Sequence, residues 1–187
     1  ITSPTRITAP TSPARRTTRP ARGEGRVLDQ FGNPDNPLAH FNGTGPEIWQ
    51  QTGGKITHLV ATLGTSGTVM GLCAWFKEQQ PQVQIVAVEP HLGHKLQGLK
   101  NMKESYKPGI FDKSVPDLIV NIDDEHAFDT ARKLARHEGM LVGMSSGAAM
   151  HAALEIAREL EEGLVVAILR REVRVTLVEA RRSKVVF

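Results

Sequence analysis

Cysteine is nearly absent from the sequence, since Cys73 is the only one among 187 residues. A single cysteine excludes an internal disulfide and a cysteine-based metal centre, and it is typical of a protein in a reducing compartment. Cys73 lies among apolar residues of a predicted helix, so we expect it in the core rather than as a nucleophile. His91 and His94 have a metal-like spacing, but no third ligand is near them in the sequence. We therefore expect no metal site.

Long apolar runs are also missing. No run reaches the length that crosses a membrane, and the first residues lack the charged-then-apolar pattern of a secretory signal. The composition, with 40% apolar and 23% charged residues, is that of an ordinary globular protein. We expect a cytoplasmic protein without a membrane partner.

Aromatic residues make up only 5% of the chain, and almost none accompany its positive charge. Residues 1–26 carry six arginines and one glutamate, a net charge of +5, and residues 170–187 carry a net charge of +4. The remaining residues, 27–169, carry −6 of the overall +3. Basic ends without interleaved aromatic residues lack the stacking groups that bind single-stranded nucleic acid, so we expect no nucleic-acid partner.

This charge pattern and the proline content predict three parts. Residues 1–26, rich in Arg, Pro and Thr, are expected to be irregular or disordered because they have too little apolar surface to bury. Residues 27–169 are expected to form one α/β domain. Residues 170–187 are expected to be an atypical basic C-terminal tail.

The central part alternates apolar strands with helices. Strands are predicted at 56–63, 83–88, 118–122 and 164–169, with a shorter strand-like run at 140–142. Helices are predicted from Pro46 to Gly53, at 68–79, after Asp123 as N-cap to Gly139, and after Gly143. A turn-rich connector is expected at 29–37, and a surface segment over the carboxyl edge of the sheet at 91–116. This order predicts an open, mostly parallel sheet with helices on both faces.

A loop of small residues follows the first predicted strand and opens a helix. Glycines allow a ligand to approach the backbone closely, hydroxyls add donors, and the helix start favours an anion such as a phosphate. The loop residues are Gly64, Thr65, Ser66, Gly67 and Thr68. No lysine stands among them, so this is not a nucleoside triphosphate loop. A dinucleotide site remains an alternative, because Glu89 ends the next strand where a ribose-binding carboxylate is expected.

A second small-residue turn, Gly143 to Gly147, also opens a helix. In an open parallel sheet such turns gather at the carboxyl edge, where ligands bind. A phosphate at the first turn and a ring atom at Ser145 would form one site, and a serine hydroxyl suits a ring nitrogen that stays neutral. The alternative is that Ser145 and Ser146 only cap the helix.

Six motifs, in order, resemble the cysteine synthase (O-acetylserine sulfhydrylase) group of fold-type II pyridoxal-phosphate enzymes. They are Asp29-Gln30-Phe31 with Asn33-Pro34-Asp35-Asn36-Pro37, His40, Thr44-Gly45-Pro46-Glu47-Ile48-Trp49, Gly64-Thr65-Ser66-Gly67-Thr68, Gln97-Gly98-Leu99, and Gly143-Met144-Ser145-Ser146-Gly147-Ala148-Ala149. The resemblance implies a tryptophan-synthase-β-like fold, here incomplete, with pyridoxal 5'-phosphate as cofactor. It implies that Gly64, Thr65, Ser66, Gly67 and Thr68 hold the cofactor phosphate, that Ser145 contacts the pyridine nitrogen, and that Gln97 and Gly98 face the substrate.

The resemblance also implies an activity, β-replacement, in which L-cysteine is made from O-acetylserine and sulfide. An O-phosphoserine sulfhydrylase or a cystathionine β-synthase-like enzyme is an alternative, and Lys95 and Lys100 keep a phosphorylated substrate open. A non-catalytic phosphate-binding or dinucleotide-binding domain is a third possibility. Members of the group are usually homodimers, which is the expected assembly.

One part of the family pattern has no counterpart in these residues. The family's Schiff-base lysine lies early in its chain, before Asp or Asn and then Arg, and none of the lysines here has that context. The chain therefore resembles the C-terminal part of such an enzyme, and no catalytic residue is assigned. We expect it to be inactive alone.

Overall fold

The computed structural model describes residues 28–103 and 106–169 in full, and the backbone of 174–180. The predicted irregular segment 1–26 lies outside the described residues, as does the predicted tail 170–187 apart from that backbone. None of the helices in the described residues combines the length and the apolarity needed to span a bilayer.

Five strands form one sheet in the order β3-β2-β1-β4-β5. They are β1 (His58–Thr62), β2 (Gln84–Pro90), β3 (Leu118–Ile122), β4 (Gly163–Leu169) and β5 (Arg174–Ala180). The first four strands pair in parallel, and β5 is antiparallel to β4. The predicted open, mostly parallel sheet is confirmed, and β5 adds a strand in the region that the sequence analysis described only as a basic tail.

The helices cover both faces of this sheet. They are α1 (Asp35–Ala39), α2 (Gly45–Gln51), α3 (Gly67–Gln79), α4 (Asp124–Glu138) and α5 (Met144–Glu159), with a π-helical segment, His40–Thr44, between α1 and α2. Side chains alternate across β1, so Leu59 packs with α2 and α3, whereas Val60 packs with α4 and α5. The buried strands supply one apolar layer to each side.

Cys73 is a residue of α3 and is fully buried in the apolar layer between α3 and the sheet. Burial, with a smaller contribution from Asp117, raises the pKa of its thiol to about 12. A thiol with such a high pKa is a poor nucleophile, which agrees with the predicted core role.

The predicted connector at 29–37 ends earlier than expected. Asn33 Oδ1 accepts a hydrogen bond of 2.9 Å from the backbone N–H of Asp35, so the side chain of Asn33 starts α1 two residues before Pro37. The chain then continues through the π-helical segment into α2, where Pro46 lies in the first turn as predicted. One nearly continuous helical stretch replaces the predicted connector and single helix.

The predicted strand-like run 140–142 is not a strand. Gly139 takes a left-handed conformation with φ of +66° and ends α4, and only four residues then lead into α5. Met140 and Val142 pack against the core and Leu141 points outward, so the run has strand-like alternation without a strand partner. The link carries the chain from the end of α4 back to the first half of that helix, where the start of α5 packs against Ala127 and Ala131.

The predicted surface segment at 91–116 crosses the carboxyl edge of the sheet. The backbone N–H of Lys100 donates to Leu63 O at 2.8 Å, and that of His91 donates to Ile122 O at 3.2 Å. Leu96 and Phe111 are nevertheless buried, so this segment contributes to the core as well as covering it.

Candidate functional site

The Gly64–Thr68 loop joins β1 to α3 at the carboxyl edge of the sheet. Leu63 is anchored on both sides, because its N–H donates to Val88 O and its carbonyl accepts from Lys100 N, each at 2.8 Å. Ser66 has a φ of +68°, a left-handed conformation that is uncommon for a residue with a Cβ. This turn directs the chain straight into α3.

The start of α3 presents unused backbone donors. No described residue supplies an acceptor for the N–H groups of Gly67, Thr68 and Val69, whereas the N–H of Met70 donates to Ser66 O at 2.9 Å. These groups carry the positive end of the helix dipole. They form the kind of cradle that an oxyanion fills.

Glycine is required where the loop approaches its neighbours. A Cβ at Gly64 would lie 2.6 Å from Gly98 O, closer than side chains are found. The two backbones are therefore in direct contact, which brings Gly98 to the cavity beside the loop. Any side chain at Gly64 would push this wall away.

A cavity of about 200 Å³ opens beside the loop and is bordered by the start of α5. Its lining residues come from four parts of the chain, namely Ala61, Thr62, Gly64, Thr65, Ser66, Thr68, Gly98, Ser145 and Ile168. None of these residues is charged, so a ligand here would be held by N–H groups, hydroxyls and helix dipoles.

Ser145 reaches this cavity because α5 packs against β1, the central strand of the sheet, and against its neighbour β4. Gly143 is the N-cap of α5, and its carbonyl accepts from the N–H groups of Ser146 and Gly147 at 3.0 and 3.1 Å. Ser146 is buried, whereas Ser145 is half-buried at the cavity wall. The two turns predicted from the sequence thus lie on one cavity.

The other predicted site residues take different positions. Gly67 is not among the cavity-lining residues and its Cα faces Asn36, so only its N–H is available to the cradle, and Gln97 is exposed next to the lining residue Gly98. Ser66 Oγ donates to Thr65 O at 2.6 Å, so its hydroxyl proton is already used inside the loop. The hydroxyl groups left in the loop are those of Thr65 and Thr68.

Glu89 does not fit the dinucleotide alternative. Its side chain is 6% exposed and accepts hydrogen bonds from Met102 N at 2.9 Å and Asn121 Nδ2 at 3.3 Å. A carboxylate occupied in this way is turned into the protein, away from a ribose. Glu89 instead fixes the segment that contains Gly98.

Two residues of the site appeared in the sequence analysis only within the family-like motifs, with no role in the site. Asn36 Nδ2 donates to Thr65 Oγ1 at 3.2 Å, and His40 Nε2 lies 3.1 Å from Thr68 Oγ1. They stand four residues apart, the spacing of one helical face, which was the available signal. The contact they make across about 30 residues of sequence depends on how α1 packs against α3.

A second cavity, of about 350 Å³, is lined by residues around His91 and the start of α4. Asp123 is the N-cap of α4, as predicted, but its carboxylate makes no capping bond and lies 3.6 Å from His91 and 3.7 Å from His126. Within the described parts of the chain, no group of three or more His, Cys, Asp or Glu side chains is arranged to hold a metal ion.

Fold and site together define an α/β protein with an uncharged cavity at the carboxyl edge of a mostly parallel sheet. Comparison with protein families identifies the family to which the chain belongs. The pyridoxal-phosphate dependent enzyme family matches residues 11–170, and the chain belongs to that family. The match includes part of the Arg-rich segment before residue 27.

Individual relatives agree with this assignment. Cysteine synthase B of Pseudomonas aeruginosa is 50% identical over 147 residues, which cover 79% of this chain and 49% of that protein. Cysteine synthase B of Escherichia coli is 47% identical over 148 residues, again 79% and 49%. The chain therefore spans about half the length of the curated relatives it matches.

Solved structures show the same fold. The crystal structure of O-ureido-L-serine synthase superposes with a TM-score of 0.68 at 37% identity, over 73% of this chain and 46% of that one. O-acetyl serine sulfhydrylase isoform 3 from Entamoeba histolytica gives 0.65 at 37%, over 71% and 42%. The predicted fold-type II architecture is confirmed.

Proposed function

We propose that this chain carries the phosphate and ring-nitrogen contacts for pyridoxal 5'-phosphate in a cysteine synthase-like enzyme that makes L-cysteine from O-acetylserine and sulfide. The observation that carries the proposal is the cavity that unites the Gly64–Thr68 loop with Ser145. The names of the relatives that match support the choice of reaction.

The cavity fits a phosphorylated aromatic ring. Free N–H groups at the start of α3 and the hydroxyls of Thr65 and Thr68 suit a phosphate dianion without a charged side chain. No described residue hydrogen-bonds to Ser145 Oγ, which leaves it available for a ring nitrogen across the cavity. A hydroxyl there holds the nitrogen without placing a negative charge beside it, so the ring nitrogen need not be protonated.

Each group has a separate task in this proposal. The cofactor, when bound, supplies the electron-accepting ring for chemistry at the substrate's α- and β-carbons. The Gly64–Thr68 loop anchors its phosphate, and Ser145 orients the ring. Gly98, held by Glu89 through the neighbouring segment, forms the wall where the substrate enters.

Substrate choice follows the cysteine synthase relatives. Lys95 and Lys100 were candidates for binding a phosphorylated substrate, but neither is among the described residues that line the cavity. Lys95 is exposed, and the ammonium of Lys100 lies 5.9 Å from the ring centre of Tyr106. O-acetylserine therefore remains the proposed substrate.

No lysine is among the described residues that line the cavity. We propose that this chain alone binds the cofactor without attaching it covalently and without turnover.

We further propose a homodimer in the cytoplasm as the working form of the enzyme. Light scattering measures the assembly, and a monomer at micromolar concentration would contradict the proposed dimer.

Binding of three related ligands tests the cofactor proposal. Pyridoxal 5'-phosphate should bind in isothermal titration calorimetry, inorganic phosphate should compete with it, and pyridoxal should bind far more weakly. Equal binding of pyridoxal, or stronger competition by NAD, would contradict the phosphate assignment. Exposed lysines can also react with pyridoxal. Borohydride reduction followed by mass spectrometry detects this covalent attachment and distinguishes it from binding in the cavity.

Activity is tested on the same preparation. With O-acetylserine and sulfide, the chain should form cysteine no faster than free pyridoxal 5'-phosphate does. Turnover well above that background would show that a residue of this chain supplies the missing base, and would overturn the proposed inactivity while supporting the proposed reaction.

A further inference from the structure

The helical stretch before the loop lies directly against α3. A Cβ at Gly67 would overlap the side-chain amide of Asn36, and a Cβ at Gly71 would overlap Pro37 O and come within 2.7 Å of His40 Cβ. Gly67 and Gly71 are four residues apart on one face of α3, and Asn36 and His40 are four apart on the facing helix. Because Gly67 and Gly71 have no side chains, the side chains of the facing helical stretch can reach the Gly64–Thr68 loop.

Asn36 controls the hydroxyl of Thr65. Its amide nitrogen donates to Gln30 O at 2.7 Å and to Thr65 Oγ1 at 3.2 Å, which uses both of its protons. Because Thr65 Oγ1 accepts this bond, its own proton is free to point elsewhere. The cavity is the side on which Thr65 is open.

His40 has the same relation to Thr68. Its Nε2 lies 3.1 Å from Thr68 Oγ1, and its Nδ1 lies 3.0 Å from Thr44 Oγ1. When Thr44 donates to Nδ1, the neutral ring carries its proton on Nε2 and donates it to Thr68. The hydroxyl proton of Thr68 is then directed away from His40, toward the cavity.

The third hydroxyl of the loop shows what happens without such support. Ser66 Oγ has no partner on α1 or the π-helical segment, and it donates its proton to Thr65 O at 2.6 Å. Two of the three hydroxyls thus have a partner behind the loop, Thr65 as acceptor from Asn36 and Thr68 beside His40. Contact with Asn36 or His40 therefore distinguishes the hydroxyls of Thr65 and Thr68 from that of Ser66.

We propose that Asn36 and His40 are positioning residues that aim the hydroxyl protons of Thr65 and Thr68 at the bound phosphate. The inference rests on the proposed function, because it needs a phosphate in the cavity. It assigns the pair a role in phosphate affinity and none in contacting the ring.

Two substitutions at one position separate this role from packing. His40→Gln places an amide nitrogen near the position of Nε2 and keeps a donor for Thr68, whereas His40→Asn keeps a polar atom near Nδ1 and loses Thr68. We expect His40→Asn to weaken inorganic phosphate and pyridoxal 5'-phosphate by about three- to tenfold, the value of one hydrogen bond. His40→Gln and the exposed control His137→Asn should stay within twofold of the unsubstituted chain.

Coupling to Thr68 makes the test specific. In a Thr68→Val background, His40→Asn should cause no further loss of phosphate affinity, because the hydroxyl it aims is gone. Additive losses, or a parallel loss of pyridoxal binding, would mean that His40 only supports packing and would overturn the inference. The same holds if His40→Asn leaves phosphate affinity unchanged.

A measurement on the unsubstituted chain does not depend on whether a variant folds. The ring ¹⁵N shifts of His40 should report the tautomer protonated at Nε2, and a ring protonated at Nδ1 would overturn the proposed direction of the bonds. If the unsubstituted chain binds neither inorganic phosphate nor pyridoxal 5'-phosphate, the proposed function fails first. If it binds both and His40→Asn has no effect, only the positioning role fails.

Discussion

The Gly64–Thr68 loop and the Gly143–Gly147 turn both open a helix at the same cavity, yet they are built differently. In the loop, two hydroxyls are supported from behind by Asn36 and His40. In the turn, Ser145 Oγ has no partner among the described residues. A site that must hold a dianion needs several aimed donors, whereas one that meets a neutral ring nitrogen needs a single hydroxyl.

Close helix packing is common to both regions and gives the largest expected effects. Gly71→Ala would drive a methyl group into Pro37 O, and Gly147→Ala would drive one into Ala127 O and to 2.9 Å from Ala131 N. Since backbone atoms cannot yield as side chains do, each should lower the free energy of unfolding by about 3 kcal/mol, measured in urea.

Phosphate binding then separates the two substitutions. Gly71→Ala moves the helix that carries Asn36 and His40, so it should also weaken inorganic phosphate, whereas Gly147→Ala should not. Gly43→Ala is the control, because no atom lies within 4 Å of the added methyl group. Its stability should stay within about 1 kcal/mol of the original. Equal phosphate losses in both variants would remove the distinction between the two regions.

The strand, loop and helix around Gly64 were predictable because hydrophobic periodicity and small residues are local signals. The turn at Ser145 was predictable for the same reason. The support from His40 was not, since it depends on two helices meeting across 28 residues. The unpaired run at 140–142 was mistaken for a strand because its alternation satisfies the core without a neighbouring strand.

Ser145→Ala tests the division of tasks between the turns. Removing the hydroxyl should weaken pyridoxal 5'-phosphate by about three- to tenfold and leave inorganic phosphate unchanged. Thr68→Val should weaken both ligands. Calorimetric titrations of the two ligands give the four affinities. An equal loss of inorganic phosphate in Ser145→Ala would place both turns at the same chemical group and contradict the comparison.

Ser66 offers a smaller effect within the loop. Its φ of +68° is unfavourable for a residue with a Cβ, and its hydroxyl is used inside the loop. Ser66→Gly should therefore raise the free energy of unfolding by up to about 1 kcal/mol and leave phosphate affinity within twofold. A loss of stability would show that the Ser66 hydrogen bond to Thr65 outweighs the conformational cost. Gly139, which follows α4 with a φ of +66°, is the residue type usually found in this conformation.

The helix that follows the Gly143–Gly147 turn carries its own histidine, which contacts α4. His151 on α5 stacks on His126 of α4 with ring centres 4.5 Å apart, and its Nδ1 lies 3.4 Å from Thr130 Oγ1. Burial, and then the nearby charge of His126, lowers the pKa of His151, while Glu155 partly opposes this. We therefore expect His151 to affect the stability of the fold at acid pH.

The sign of that effect follows from the pKa. Because the folded pKa lies below the unfolded value near 6.5, the unfolded chain binds a proton first as the pH falls, and stability declines from about pH 6.5 downward. His151→Asn keeps a polar atom near Nδ1 and should flatten this decline, with His137→Asn as the exposed control. Urea unfolding midpoints between pH 8 and 5 measure this decline in stability, which we expect to be among the smallest of the predicted effects. An unchanged slope in His151→Asn would mean that acid sensitivity arises elsewhere.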